Sequence, residues 1–192
     1  MTDITALPAK RHAGHRPGTA DVGEERPAGE QRLVTMVELL FFAYREFTAE
    51  PDAILEEIGY GRAHHRVLHF VSRNPGLRVA DLLGVLRITK QSLARVLKQL
   101  VDDGYIIQTA GPDDRRERRL TVTERGQTLA DRLLANQTKR IAAAMVEAGP
   151  EAERLAEAFL LGMIPAGERD QVRRLTGPRP VSAAGQRHED QS

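Results

Sequence analysis

The chain has 192 residues, a formal net charge of +1 and no cysteine. This length fits one domain with a sizeable core. The lack of cysteine excludes disulfides, thiolate metal sites and a thiol-based redox sensor, and the near-zero charge means that any nucleic-acid signal must come from local clusters of cations. No apolar run reaches the ~18 residues that a membrane span needs, and residues 1–30 lack a signal-peptide core. We therefore expect a cytoplasmic protein with no membrane partner.

Both ends of the chain are polar and lack hydrophobic periodicity. Residues 1–31 combine Pro, Gly and Ala with mixed charges, and residues 176–192 are similar. Such segments cannot bury enough apolar surface to offset the entropy lost on ordering. We expect two disordered tails around a domain that covers residues 32–175.

An apolar helix is predicted at about residues 33–50. Its apolar positions cover more of the circumference than the ~100° stripe that one core contact requires, and four of the chain's eight aromatic residues lie between Phe41 and Phe47. We therefore expect part of this helix to form a subunit interface. Pro51 should end the helix or start a short one at Asp52.

Three histidines, His64, His65 and His69, lie on the next predicted helix, at about residues 62–73. His65 and His69 have a spacing that can bind zinc, but the chain has no cysteine ligand and no glutamate in the metalloprotease position between them. Surface, interface or effector-pocket histidines are the alternative. We expect no metal site and no cofactor. The sequence also lacks a nucleophile elbow, a phosphate loop and a separated carboxylate pair, so we expect no catalytic residues and no enzyme activity.

Two short amphipathic helices follow, at about residues 79–86 and 90–103. Their apolar residues recur at i, i+3, i+4 and i+7, and only a short turn separates them, which suggests a helix-turn-helix. Thr89 is placed to cap the second helix and Gly104 to terminate it. Arg87 occupies a turn position where glycine is common, and a left-handed conformation there costs about 1 to 2 kcal/mol.

The outward face of the second helix is polar and cationic, with no acidic residue between positions 87 and 101. Cations suit DNA phosphates, and amide and hydroxyl groups suit base edges in a major groove. An ordinary solvated surface helix is the alternative. The candidate DNA-binding residues of this region are Arg87, Thr89, Lys90, Gln91, Ser92, Arg95 and Lys98.

Two β-prone runs, residues 105–110 and 118–123, predict a hairpin. Its tip places Arg115 and Arg116 beside Asp114. An arginine oriented by nearby carboxylates can enter a narrow minor groove while the preceding helix occupies the major groove. A solvated, charged hairpin tip is the alternative.

Two further helices are predicted beyond the hairpin. Thr123 is placed to cap a helix that runs to Ala148, about 35 Å long. Gly149 and Pro150 break it, and a second apolar-faced helix follows until Pro165. A final short helix is expected at about residues 167–175.

These elements resemble the MarR family of winged-helix transcriptional regulators. The resemblance covers about residues 33–175 and rests on the helix-turn-helix, on Asp114-x-Arg116, and on the sequence Leu-Thr-Val-Thr-Glu-Arg-Gly at 120–126. It implies a homodimer whose first and last helices interlock, a recognition helix in the major groove, and often an effector pocket between the dimerisation and DNA-binding regions. By position, Asp114 would steady the wing and Arg116 would enter the minor groove.

The sequence thus predicts a mainly α fold with a small β-hairpin wing. The DNA-binding core is expected at about residues 62–123, and the dimerisation helices at about 33–50 and 124–175. The predicted function is that of a sequence-specific regulator of transcription, which binds a pseudo-palindromic operator in double-stranded DNA as a homodimer. A small-molecule effector is a further expected partner, and its pocket residues, inferred from position, are Tyr44, Phe47, His65 and His69. The alternatives are a winged helix used for protein association and a metal-responsive sensor built on the three histidines.

Overall fold

The computed structural model describes residues 27–112 and 114–177. Most of both predicted tails lies outside these residues. The described chain is mainly helical with a small antiparallel sheet, which confirms the predicted fold class. In chain order, the elements are α1 (Ala28–Glu56), α2 (Arg62–Arg73), β1 (Leu77–Arg78), α3 (Val79–Leu86), α4 (Lys90–Asp102), β2 (Ile106–Ala110), β3 (Arg118–Val122), α5 (Glu124–Ala148), α6 (Ala152–Gly162), a 3-10 turn (Ala166–Glu168) and α7 (Arg169–Thr176).

Helix α1 differs from the prediction at both ends. It begins at Ala28, inside the segment predicted as a tail, and it continues through Pro51 to Glu56. A proline inside a helix removes one backbone hydrogen bond and normally breaks or kinks the helix. Here Pro51 is buried together with Ile54 and Leu55, and the apolar burial offsets that loss. The chain divides into two compact units at this helix, one ending at Leu40 and the other beginning at Phe41.

The second unit contains one apolar core. The largest contributions come from α2 and α4, whose inward faces are buried at helical spacing. Helix α5 adds Leu129 and Leu133, and strand β3 adds Leu120. This shared core fixes α4 against α2 and the sheet. The fully or almost fully buried side chains of these two helices are Val67, Leu68, Val71, Leu93, Val96, Leu97 and Leu100.

The ends of the helix-turn-helix follow the predicted chemistry. Arg87 closes α3 in the left-handed conformation, with φ 50° and ψ 44°. Thr89 caps α4, and its Oγ1 accepts a hydrogen bond from the Ser92 backbone N–H at 3.1 Å. At the other end Gly104 has φ 74°, and the Tyr105 N–H donates to the Leu100 carbonyl at 2.8 Å, as expected for a glycine-terminated helix.

The sheet has the strand order β1-β3-β2, with both pairings antiparallel. Leu77 lies opposite Leu120, and Ile106 opposite Val122. Strand β1 precedes α3 directly and β2 follows α4 after a short turn. The wing formed by β2 and β3 is therefore anchored on both sides of the helix-turn-helix.

The Thr-Glu-x-Gly sequence after β3 has a local structural explanation. Thr123 Oγ1 accepts from the Gly126 N–H at 3.0 Å and donates to the Gly104 carbonyl at 2.7 Å. A Cβ atom at Gly126 would collide with the Tyr105 carbonyl oxygen. Only glycine therefore lets the first turn of α5 lie this close to the end of α4.

Candidate nucleic-acid interface

Helix α4 separates its residues cleanly into a buried and an exposed side. Its apolar side is buried, whereas Lys90, Gln91, Ser92 and Arg95 are exposed. Thr89, which caps the helix, is exposed as well. The first two turns thus present two cations, an amide and a hydroxyl to solvent, the groups that can contact phosphates and base edges.

Of the four cations predicted near α4, two form ion pairs and two do not. Arg87 forms an ion pair with Glu168 of the 3-10 turn, and Lys98 forms one with Asp102. The hydrogen bond from Lys98 to Asp102, together with the carboxylate charge, raises the pKa of Lys98. Lys90 and Arg95 have no ion pair with any carboxylate in residues 27–112 and 114–177. The charge available to DNA without breaking a contact is therefore concentrated toward the start of α4.

The tip of the wing is organised around Asp114. Its Oδ1 accepts a hydrogen bond from the Arg116 backbone N–H at 2.8 Å, and its carbonyl oxygen accepts one from the Glu117 N–H at 3.0 Å. A Cβ atom at Gly111 would lie 2.9 Å from the same carbonyl oxygen, which is too close for another residue. Arg115 and Arg116 are exposed, and within the described part of the chain neither side chain has an ion-pair partner. Asp113 lies outside the described residues.

The base of the wing carries an ion-pair cluster that the sequence did not predict. Glu117 accepts from Arg119 Nε at 2.8 Å and lies 3.7 Å from Arg78 Nη1. Arg78 also donates to both carboxylate oxygens of Asp81, at 2.6 and 2.7 Å. The wing is thereby tied to the start of α3. Arg78, a poor helix cap by sequence, holds α3 through its side chain.

A second unpredicted cluster surrounds the C-terminal end of α4. The Tyr60 hydroxyl donates to Asp103 Oδ2 at 2.7 Å. Burial, followed by this hydrogen bond to Asp103, raises the pKa of Tyr60 above its usual range. Arg125 donates to the Asp103 carbonyl at 2.9 Å and to the Tyr105 hydroxyl at 3.0 Å, and its guanidinium carbon lies 4.3 Å from the centre of the Tyr105 ring. This cluster connects α4 to both the α1–α2 connection and α5.

The four predicted effector-pocket residues line one cavity. Tyr44, Phe47, His65 and His69 surround a space of about 410 Å³. Burial lowers the pKa of His65 and His69, and for His69 the nearby charges of His65 and Arg73 lower it further. Both histidines therefore favour the neutral form. The remaining residues that line the cavity are Thr48, Arg62, Arg66, Phe70 and Gln137.

His64 does not join this cavity, because its ring forms a hydrogen bond with Gln99 of α4. The three histidines are therefore split between two sides of α2. Within residues 27–112 and 114–177, no group of three or more His, Cys, Asp or Glu side chains could hold a metal ion.

Comparison with known proteins agrees with these features. Residues 58–117 match the MarR family model. The chain is 49% identical over 140 residues to the HTH-type transcriptional regulator PetP of Rhodobacter capsulatus. This match covers 69% of this chain and 83% of that protein. The chain is 32% identical over 83 residues to the HTH-type transcriptional repressor Rv2887 of Mycobacterium tuberculosis, covering 43% of this chain and 60% of that protein.

Solved structures show the same fold. A SlyA-like transcription regulator from Listeria monocytogenes superimposes with a TM-score of 0.56 and 19% identity, over 75% of this chain and 96% of that one. The fold and the exposed faces of α4 and the wing define a winged helix-turn-helix protein of the DNA-binding type. The chain belongs to the MarR family of transcriptional regulators, which are not enzymes. Among the described residues, no helix combines the length and hydropathy required to cross a membrane.

Proposed function

We propose that this regulator binds a pseudo-palindromic operator as a homodimer, with one α4 helix in each of two successive major grooves. The main support is the exposed first half of α4, where Lys90 and Arg95 lie beside Gln91 and have no ion pair in the described chain. Two such helices related by a two-fold axis would contact half-sites about 34 Å apart. Lys90, Gln91, Ser92 and Arg95 would face the bases, while Thr89, Arg87 and Lys98 would lie beside the phosphates.

The wing would supply a separate contact in the adjacent minor groove. Asp114 fixes the backbone of the loop through the Arg116 N–H, which leaves the Arg116 guanidinium exposed, with Arg115 next to it. Arginine is well suited to a narrow minor groove because that groove concentrates negative potential. We assign Arg116 to the groove, Arg115 to the flanking phosphates and Asp114 to the support of both.

The homodimer proposal rests on apolar side chains that the single chain leaves uncovered. In the first unit, Leu33 is 68% exposed; in the second, Phe41 is 71% exposed. Helix α6 has no buried residue at all among its eleven, although Leu155, Phe159 and Leu160 give it an apolar side. Exposed apolar surface of this extent is typical of a subunit interface. We therefore propose that α1 and the helices after the wing pair with a second copy.

The cavity lined by Tyr44, Phe47, His65 and His69 is the proposed effector site. Its lining is mainly apolar and aromatic, and it includes Arg62, which pairs with Asp52 at 2.8 Å, and Arg66, which donates to the Leu86 carbonyl at 3.1 Å. An aromatic carboxylate would suit both features. The measurement is a thermal shift with benzoate as the probe, compared between the wild type and a Phe47→Ala variant. We expect benzoate to raise the melting temperature of the wild type only, and equal shifts for both proteins would refute this site.

The operator proposal is tested by footprinting on the DNA upstream of the protein's own coding sequence, followed by anisotropy titrations on the protected fragment. A homodimer should protect two half-sites about one helical turn apart. Arg116→Ala should reduce affinity by about 1 to 3 kcal/mol, roughly 5- to 150-fold, because it removes one wing contact per subunit. Arg73→Ala is the matched control, since Arg73 lies in the last turn of α2, outside the proposed DNA contacts and outside the helices proposed to form the dimer.

Two results would contradict the proposal. Unchanged affinity in Arg116→Ala would remove the wing from the interface. Equal, weak binding to all DNA fragments at low salt, together with a stable protein partner in a pull-down, would favour a protein-association module. For the wild type, the affinity should fall with salt at a log-log slope of about −0.9 for each phosphate contacted.

A further inference from the structure

We propose that His64 is a positioning residue for the recognition helix and that protonation of its ring weakens operator binding. The inference rests on the proposed binding of DNA through α4. His64 does not belong to the exposed face of α4 or to the effector cavity. Its effect would pass through α4, which it holds in place.

The hydrogen bonds of His64 specify one state of the ring. The Gly61 backbone N–H donates to Nδ1 at 3.1 Å, so Nδ1 carries no proton. Nε2 lies 3.0 Å from Gln99 Oε1 and is therefore the protonated nitrogen, which donates to that amide oxygen. Only the neutral ring with its proton on Nε2 satisfies both contacts. In this state a single side chain joins the first turn of α2 to the third turn of α4.

Aromatic stacking extends the contact to the end of α4. The rings of His64 and Tyr60 are parallel within 10°, with centroids 4.4 Å apart. The Tyr60 hydroxyl donates to Asp103, the residue directly after α4. Gln99 and Asp103 are four residues apart, so the pair of rings contacts two successive turns of the chain. The orientation of α4 against α2 thus depends on this stack in addition to the apolar core.

Protonation removes one of the two contacts directly. A protonated Nδ1 would point its hydrogen at the Gly61 N–H, so the two donors would repel each other. Because both nitrogens belong to one rigid ring, a rotation that relieves this repulsion also withdraws Nε2 from Gln99. A cavity of about 410 Å³ between α2 and α4 adjoins the ring and provides the space for the rotation. The link between the two helices would then be lost.

The charged groups around the ring come from α2, from α4 and from the residues that flank them, and Arg62 among them forms an ion pair with Asp52 at 2.8 Å. Arg62 of α2 and Arg95 of α4 line the same cavity, Tyr60 stacks on the ring, and Asp103 is reached through Tyr60. Arg95 is also four residues before Gln99, so it lies next to it along one side of α4. A shift of α4 at Gln99 would therefore move Arg95, one of the two unpaired cations proposed to contact DNA.

The sign of the pH effect separates this proposal from simple charge attraction. Added positive charge on histidines generally strengthens binding to DNA at low pH. Loss of the His64 link predicts the reverse for the operator, a loss of affinity of roughly threefold to tenfold between about pH 8 and about pH 5.5, comparable to the loss of one helix cap. The probe is the fragment protected in footprinting of the upstream region, titrated at constant ionic strength.

Two variants make the test specific. In His64→Gln the amide can still donate to Gln99 and does not titrate, so the affinity should stay within about twofold across the same pH range. Glu57→Gln is the control, because it changes an exposed side chain just after α1 that lines neither the effector cavity nor the cavity beside His64. This control should keep the pH dependence of the wild type. The same pH profile in the wild type and His64→Gln would overturn the proposal.

A measurement without DNA distinguishes failure of this inference from failure of the operator proposal. Nitrogen-15 spectra of the free protein should show the His64 proton on Nε2 at about pH 8, and hydrogen-exchange protection of α4 should fall on acidification in the wild type but not in His64→Gln. If these results hold and no operator is found, the proposed DNA site fails while the link between α2 and α4 stands. A proton on Nδ1, or α4 protection equal in both proteins, would overturn the role of His64.

Discussion

The DNA-binding core and helix α6 differ in how far their apolar side chains are buried. In the core, α4 buries every residue of its apolar side against α2, the sheet and α5. Helix α6 has a comparable apolar side, but none of its residues is buried, and Leu155, Phe159 and Leu160 remain about half exposed. The hydrophobic effect scales with the apolar area removed from water, so the core can be stable in one chain, whereas α6 leaves apolar surface that we propose a second copy covers. The helix-turn-helix and the sheet thus bury their own core within one chain, and α6 does not bury any residue.

This difference predicts that substitutions in the core and in α6 act on different equilibria. Leu100→Ala should lower the free energy of unfolding by about 2 to 5 kcal/mol, because it leaves a cavity under α4, where Leu100 is fully buried. Leu160→Ala, at a position of α6 that is 56% exposed, should change it by less than about 0.5 kcal/mol in dilute, monomeric protein. Urea denaturation at submicromolar concentration measures both.

A different result for Leu160→Ala would also show where α6 is covered. A loss of several kcal/mol for Leu160→Ala, independent of protein concentration, would mean that α6 is covered within a single chain. Helix α6 would then belong to the packing of the monomer, and its exposed residues would give no support to a dimer. A loss that appears only at high concentration would instead locate Leu160 in the subunit interface.

Local sequence signals predicted the elements of the core well. The bounds of α2, α3 and α5 follow from helical periodicity together with residues that act on their immediate neighbours, such as Thr123 at the start of α5. Gly104 also placed the end of α4 to within one residue. The left-handed turn at Arg87 was likewise foreseeable, because the linker between α3 and α4 is too short for many other solutions. Pro51 was predicted wrongly, because its burial in the core depends on helices that lie far away in the sequence.

The candidate site shows the same division. Tyr44, Phe47, His65 and His69 could be grouped by sequence because residues three or four apart share a helix face, and they do line one cavity. The ion pair between Arg87 and Glu168 joins two residues that are far apart in the sequence. No local sequence pattern could therefore predict it. Adjacent helical residues point about 100° apart, so the sequence could predict that His64 and His65 lie on different sides of α2. The partner of His64, Gln99, could be found only from the packing of α2 on α4.

A smaller effect is expected on self-association of the protein, and it tests the proposed role of α6 directly. Phe159 is 43% exposed in the single chain, so covering the rest of its surface should contribute roughly 0.6 to 1.3 kcal/mol per copy. A two-fold interface contains two copies, and Phe159→Ser removes both contributions. The dimer dissociation constant should therefore rise by at least about tenfold. Sedimentation velocity over a range of concentrations measures this change, and Glu157→Ala, a polar substitution on the same helix, is the control.

The stability of the monomer decides how such a result is interpreted. Phe159 is 43% exposed in the single chain, so Phe159→Ser should lower the free energy of unfolding of the monomer by about 1 to 2 kcal/mol. Weaker association of a variant that urea denaturation shows to be folded would assign α6 to the interface. Unchanged association would exclude this side of α6, and the two-fold arrangement of α4 helices would then have to depend on α1 and α5, where Leu33, Phe41 and Val146 remain exposed.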